Sequence, residues 1–358
     1  MGSVWTKLIG QDRAAEKLCR FASTNVQSFL FVGPSGCGKE YAARAFATML
    51  VTGSDDDSSR EANLIFREEF PDVHEIYRVG AAVDKDEAEN IVSQSSTTPL
   101  EAKVKVIVIH EVHLMRDSAA VRLLKTIEEP APQVIFILLA DQLVPSLTTI
   151  NSRCVVVNFS MLRQEDIAAT LVAEGVVSAT AKSVSQACNG DLDRARLLVT
   201  DEYLARRHEY FADIASLLDG TGSAVIKIVD EIATHLEKAG EALALIHESE
   251  LEKLEERVAL TGERGSGRKA IADKHKRELR QLRTNELRSG LSVFANTYKN
   301  MLITDPDGDG SEDVIRAIKL IHETIKAFDL NVNENLALHA LLMKCPPSKT
   351  LASTMQLN

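Results

Sequence analysis

Hydrophobic positions along this chain follow two regimes that meet near residue 160. Before that point, short apolar runs alternate with stretches of helical period; after it, only helical periods remain. Residues 29–32, 103–109, 134–140 and 154–159 are apolar runs of the kind a strand buried on both faces requires, and 73–77 is a further candidate strand. Asp12–Phe21, 41–49, 85–92 and 117–127 carry helical spacing between them. Strands alternating with helices predict an α/β layer with a mainly parallel sheet.

Beyond 159, residues 164–173, 178–188 and 192–199 read as three short helices, and from 201 onward the helices lengthen. Val225, Ile228, Ile232, Leu236, Ala239, Leu243 and Ile246 keep a spacing of three or four residues, as one buried stripe of a long helix should. Ile271, His275, Leu279 and Leu282 form a second stripe, and Val314, Ile318, Ile321 and Ile325 a third. Packing against sister helices accounts for all three. A cofactor site would need inward Glu or His pairs on facing helices, and none is expected. The stretch 52–60, acidic and rich in serine without periodicity, reads as a mobile surface loop.

At 358 residues the chain exceeds a single core, so two or three domains are expected. Its 45% hydrophobic and 26% charged composition is that of a globular protein, and no apolar run approaches the length of a membrane span. The first residues lack the basic flank and apolar core of a signal peptide, so a cytoplasmic protein with no membrane partner is expected. Cys19, Cys37, Cys154, Cys188 and Cys345 are scattered without a C-x-x-C pair, which argues against zinc and against a disulfide framework. A formal charge of −11 opposes general attraction to nucleic acid. The balance reverses locally over 264–288, where nine Lys and Arg face Asp273, Glu278 and Glu286. That stretch is read as a solvated helix face, with a contact surface for DNA or an acidic partner as the second reading. Asp305, Asp307 and Asp309 imitate the start of a calcium loop. The twelfth position is Arg316, where a bidentate glutamate is required, so no calcium is expected.

The most specific chemistry lies between the first strand and its helix. Gly33-Pro34-Ser35-Gly36-Cys37-Gly38-Lys39 fits G-x-x-x-x-G-K, the loop whose backbone amides cradle phosphates while the lysine reaches the terminal ones. The following helix would turn its positive end toward the same anion. Glu40 stands where a Mg²⁺-binding hydroxyl should follow the lysine, so the loop is expected to bind nucleotide weakly or not at all.

Further motifs carry a resemblance. Leu123-Leu124-Lys125-Thr126-Ile127-Glu128-Glu129-Pro130, then Ser152-Arg153-Cys154, is similar to the bacterial clamp-loader subunits of the AAA+ class. Leu8-Ile9-Gly10-Gln11 and Asn335-Leu336-Ala337-Leu338 agree with it. The segment from Leu260-Thr261-Gly262 to Arg268-Lys269 resembles the actinobacterial delta-prime branch. The resemblance implies a RecA-like AAA+ nucleotide-binding domain over 1–159, a three-helix lid over 160–200, a helical collar that oligomerises over 201–346, and a tail over 347–358. It also implies a stator role in a hetero-pentamer with delta and gamma/tau subunits, which places the sliding β-clamp on primer-template DNA. In that family the motors use ATP and the delta-prime subunit mostly does not.

Departures from the family's motor pattern agree with one another. His110 stands where the metal-binding aspartate belongs, beside a retained Glu111. Leu139-Ala140-Asp141 lacks the usual sensor Thr or Asn. In Gly190-Asp191-Leu192-Asp193-Arg194-Ala195, Asp193 takes the place of the second-sensor arginine, with Arg194 one helical step of about 100° away. The zinc module of many delta-prime proteins has no counterpart, since 52–70 contains no cysteine. Phosphoryl transfer depends almost wholly on placed charge, so this chain's own ATPase is expected to be absent. Arg153 is retained, as an arginine finger acting in trans would be. The alternative is an active gamma/tau-like clamp-loader ATPase in which Lys39 and Glu111 suffice.

Overall fold

The computed structural model describes residues 2–78, 83, 85–188, 190–199, 203–261, 266–304, 310–328 and 332–347. Two compact units divide the chain, Met1–Ala195 and Arg196–Asn358.

The first unit is built on five parallel strands, β1 (Ser28–Val32), β2 (Val73–Ile76), β3 (Lys105–Ile109), β4 (Val134–Ala140) and β5 (Val155–Asn158), in the order β2-β3-β4-β1-β5. All seven residues of β4 are buried, and Phe29, Leu30 and Phe31 of β1 are fully enclosed. This is why both read as unbroken apolar runs: each lies inside the sheet with helices on both faces. On one face Phe29, Phe31, Val106, Ile137 and Val157 meet helices α1 (Asp12–Phe21) and α2 (Lys39–Thr52). On the other, Leu30, Ile107, Phe136 and Leu138 meet α4 (Lys85–Ser95) and α5 (Asp117–Glu128). Ala42, Ala43 and Ala47 on α2 are small enough to let that helix lie close to the strands. A four-residue helix, α6 (Thr148–Asn151), precedes β5, and α7 (Gln164–Ala173), α8 (Ser178–Ala187) and α9 (Leu192–Val199) follow it. The parallel sheet with flanking helices, followed by helices alone, is the expected RecA-like AAA+ core and all-helical remainder.

Two readings change here. The 52–60 stretch is tied down rather than free. Val4 N–H donates to Asp55 O at 2.8 Å, Asp57 N–H donates to Gly2 O at 3.1 Å, and Ser3 pairs with Asp56 as a short antiparallel bridge. An unanticipated helix, α3 (Arg60–Phe66), begins there, capped by the Ser59 hydroxyl, which accepts from Ala62 N–H. Composition alone predicts a free loop, whereas its partner is the segment 2–4.

The second unit contains α10 (Leu204–Leu217), α11 (Gly222–Thr261), α12 (Ser266–Thr304), α13 (Ser311–Phe328) and α14 (Glu334–Leu342). Its core joins Val225, Ile228, Ile232 and Leu236 of α11 to Leu287, Leu291, Phe294 and Tyr298 of α12, and to Val314 and Ile321 of α13. The stripes do not stay buried throughout: Ile246 is 48% and Leu279 43% exposed, because both lie where α11 and α12 have run past that core. Between the same two helices His247 stacks on His275, with ring centroids 3.8 Å apart. His247 Nε2 is 2.8 Å from Glu278 and His275 Nε2 is 3.0 Å from Glu250. Paired His and Glu therefore do occur on facing helices, contrary to the sequence reading; the pairing joins positions 25 to 31 residues apart. Among the described residues no group of His, Cys, Asp or Glu is arranged to hold a metal ion, and no helix is long and apolar enough to cross a membrane. The Asp305–Asp309 part of the calcium-like stretch, Gly262 to Gly265, and all of the tail but Pro347 lie outside the described residues.

Candidate functional site

Parallel strands place ligand sites beyond their carboxyl ends, at the point where strand order reverses. Here β1 lies between β4 and β5, and its end continues into Gly33–Lys39. The ends of β3 and β4 bring His110, Glu111 and Asp141 to the same edge of the sheet. Gly33 N–H donates to Ala140 O at 3.1 Å, and a Cβ at Gly33 would meet Phe159 at 2.6 Å. Gly38 caps α2 with φ +90°, a left-handed conformation that favours glycine. Gln11 fastens the loop from behind: its Nε2 donates to Cys37 O at 3.0 Å and Ser160 O at 2.6 Å, and its Oε1 accepts from Ser160 N–H. Burial pushes the Cys37 thiol up to about 11, so it stays protonated at neutral pH.

Lys39 is 2% exposed, and its ammonium is already engaged. Nζ lies 2.8 Å from Asp141 Oδ1, 3.2 Å from Glu40 Oε1 and 3.2 Å from Pro34 O. Burial opposes its charge, but the two carboxylates outweigh that and raise its pKa. Asp141 is held in turn, since its N–H donates to His113 Nδ1 at 3.1 Å. Burial lowers the His113 pKa, leaving the ring neutral with its proton on Nε2.

A third carboxylate comes from the residues before α9. Asp191 Oδ1 accepts from Arg194 N–H at 2.9 Å, capping that helix. Its carboxyl packs directly on Gly36, where a Cβ would fall 2.0 Å from Asp191 Cγ; Gly36 itself has φ +67°. Burial raises the Asp191 pKa to about 6, Arg194 partly offsetting it. The loop thus carries one cation and three carboxyl groups, an electrostatic setting that opposes a polyphosphate.

The acidic motif is also committed within the chain. His110 turns along the sheet rather than toward the loop. Its Nε2 is 2.9 Å from Glu75 Oε2 and its ring stacks on Tyr77 at 4.0 Å. Arg44 reaches Glu75 through Nε at 2.6 Å and Nη2 at 2.9 Å, and Tyr77 donates to the same carboxylate at 2.8 Å. Burial opposes the Glu75 charge, but His110 and Arg44 hold its carboxyl down at about 2. Glu111 adopts φ +52° and is gripped by Arg78, Nε at 2.7 Å and Nη2 at 3.3 Å.

Asp193 is exposed on α9, and Arg194 is buried with Nη1 donating to Ala187 O at 2.8 Å. Arg153 lies apart from the loop cluster, one-third exposed, just before β5. Its Nε donates to Glu128 Oε2 at 2.9 Å and its Nη1 to Thr149 O at 3.0 Å. Sequence reading singled out the loop, His110, Glu111 and Arg153. It missed Arg44, Glu75, Arg78 and His113, and quoted Asp191 and Asp141 only as parts of motifs. Arg44, Glu75 and Arg78 sit 31 to 35 residues from the groups they hold, beyond any local pattern.

The strand order and flanking helices define a RecA-like, AAA+-type core, with the G-x-x-x-x-G-K loop at the end of β1. A family model described as DNA polymerase III, delta subunit, matches residues 10–163. The chain is 28% identical to DNA polymerase III subunit delta′ of Bacillus subtilis, over 62% of this chain and 70% of that protein. It is 30% identical to subunit delta′ of Haemophilus influenzae, over 38% of this chain and 43% of that one. It is also 25% identical to subunit gamma/tau of Mycobacterium tuberculosis, over 63% of this chain and 42% of that one. By these matches the chain is similar to the delta-prime and gamma/tau subunits of bacterial DNA polymerase III. Both kinds of relative are present, and two of the three are matched over less than half their length.

Proposed function

We propose that this chain is a delta-prime-type, non-hydrolysing clamp-loader subunit, of the branch that the 260–269 segment resembles. In this reading it assembles with delta and gamma/tau subunits through its helical C-terminal part. There it supports loading of the sliding β-clamp on primer-template DNA, and it supplies Arg153 in trans to a neighbour's nucleotide. The observation that carries the reading is Lys39, the loop's only cation, already held by Asp141 and Glu40. Two further features support it. A histidine bonded to Glu75 stands at the metal position, and Arg78 holds the one carboxylate suited to orient an attacking water. Phosphoryl transfer relies on metal, lysine and arginine charge around the γ-phosphate. Each of those positions is altered or internally paired, so the residues present fit Mg-ATP poorly.

The second reading is a gamma/tau-like ATPase. It is favoured by the intact Gly33–Lys39 pattern, by Glu111 and by the similarity to gamma/tau subunits. Calorimetric titration of the chain with Mg-ATP separates the two. The proposal expects weak or undetectable binding, and a clear gain in affinity on Asp141→Asn, which releases Lys39 from its strongest partner. Tight wild-type binding that Asp141→Asn weakens would favour the ATPase.

A further inference from the structure

The second unit holds a cavity of about 290 Å³ between α12 and the start of α14. Arg280, Arg283 and Thr284 line it from α12, and Glu334 and Asn335 line it from the first turn of α14. One of its two arginines is spent: Arg283 Nε and Nη2 both donate to Glu334 Oε2, at 3.2 and 2.8 Å. The other is not. Arg280 is exposed and makes no ion pair or hydrogen bond among the described residues. Thr284 is also unused. Thr297 and Thr324 return their hydroxyls to the carbonyl four residues back, whereas the Thr284 hydroxyl has no partner among the described residues. The Asn335 side-chain amide is likewise unengaged among them.

A guanidinium, a hydroxyl and an amide without partners among the described residues therefore line one small cavity, and the one carboxylate among its described lining residues, Glu334, is already paired with Arg283. Such a donor set fits an oxyanion. The cations also continue beyond the cavity. Lys276, exposed and unpaired among the described residues, precedes Arg280 by four positions, and Arg283, whose charge Glu334 offsets, follows by three, so the three share one side of α12. They span about 10 Å along the helix axis. One strand of a duplex presents a phosphate about every 3.4 Å of its axis, so about three phosphates fall within that reach.

We infer that the 276–284 face of α12, with the cavity at the start of α14, is a binding site for the phosphodiester backbone of DNA. The inference stands on the second unit alone and goes beyond the proposed function, which requires no DNA contact from this chain. Spacing favours DNA over an acidic peptide: Lys276 and Arg280, joined by Arg283 when a phosphate takes the place of Glu334, match a regular line of charges.

The test is fluorescence anisotropy of the 358-residue chain with a labelled primer-template duplex, titrated between 50 and 200 mM salt. Arg280→Ala should weaken binding about fivefold at the lower salt and reduce the log–log salt slope by about 1. Glu334→Gln frees Arg283 and should tighten binding about twofold to threefold. Arg268→Ala, which breaks an exposed pair with Glu255 away from the cavity, should change neither value. Thermal unfolding of each variant checks that the fold is retained. No binding by the wild type at 50 mM salt would overturn the inference, as would affinities unmoved by both Arg280→Ala and Glu334→Gln. A polyglutamate peptide that displaces the duplex at equal charge concentration, with the same Arg280 dependence, would instead make this a protein-docking surface. None of these outcomes depends on the nucleotide loop.

Discussion

Replacing Asp191 by Asn should stabilise the protein at neutral pH, and the gain should disappear in acid. The substitution keeps the shape and the cap, because asparagine accepts from a helix N-terminus about as well as aspartate. What it removes is a buried charge packed on Gly36, 9% exposed, with Asp193 and Glu40 nearby. Raising the carboxyl from 3.8 to about 6 corresponds to about 3 kcal/mol in favour of its neutral form. The folded pKa lies above the unfolded one, so the ionised group costs its full amount well above pH 6. As pH falls from about 6 to about 4 the folded state takes up the proton first and that cost is relieved. Urea unfolding at pH 7.5 should therefore show Asp191→Asn more stable by up to about 3 kcal/mol. By pH 5 the difference should be about half as large. A variant no more stable at pH 7.5, or one whose advantage grows in acid, would refute the reasoning. The same substitution removes one of three carboxyl groups from the loop, so it should not weaken nucleotide binding.

The other substitutions act through different pairs. Glu75→Gln breaks the buried network of Arg44, Tyr77 and His110, and should cost about 3 kcal/mol in urea unfolding, since Arg44 retains Glu68. The wild-type carboxyl is held at about 2, below its ordinary 4.5. Its contribution is present above pH 4.5 and lost as pH falls toward 2, so the variant's deficit should shrink over that window. Arg153→Ala breaks an exposed pair with Glu128, so unfolding should change by no more than about 1 kcal/mol. In the assembled complex the same change should lower ATP hydrolysis by a factor on the order of 10³ if the arginine acts in trans. Arg153→Lys should rescue it only in part, because a point charge lacks the planar fork.

Much of the fold was legible because the chain's periods are undiluted. Asp12–Phe21, Val134–Ala140, Gln164–Ala173 and Leu192–Val199 have the bounds their spacing predicts. Helix α3 was hidden because seven residues give too little period, and its signal, Ser59 at the cap, sat inside a run of serines and aspartates. The exposed Ile246 and Leu279 show the complementary limit: spacing marks a helix face but not whether a neighbour reaches that far along it. At the loop, the sequence names Lys39, Glu40, His110 and Glu111 but not their partners. Arg78 meets Glu111 across 33 positions, and Glu75 meets His110 across 35. These contacts exist only because β2 lies beside β3 in the sheet.

Steady-state ATP hydrolysis by the purified chain, compared with Lys39→Ala, tests the central claim most directly. With Lys39 held by Asp141 and Glu40, and Glu111 by Arg78, the account predicts no turnover that depends on Lys39. Turnover at the rate of an active clamp-loader motor, abolished by Lys39→Ala, would contradict it.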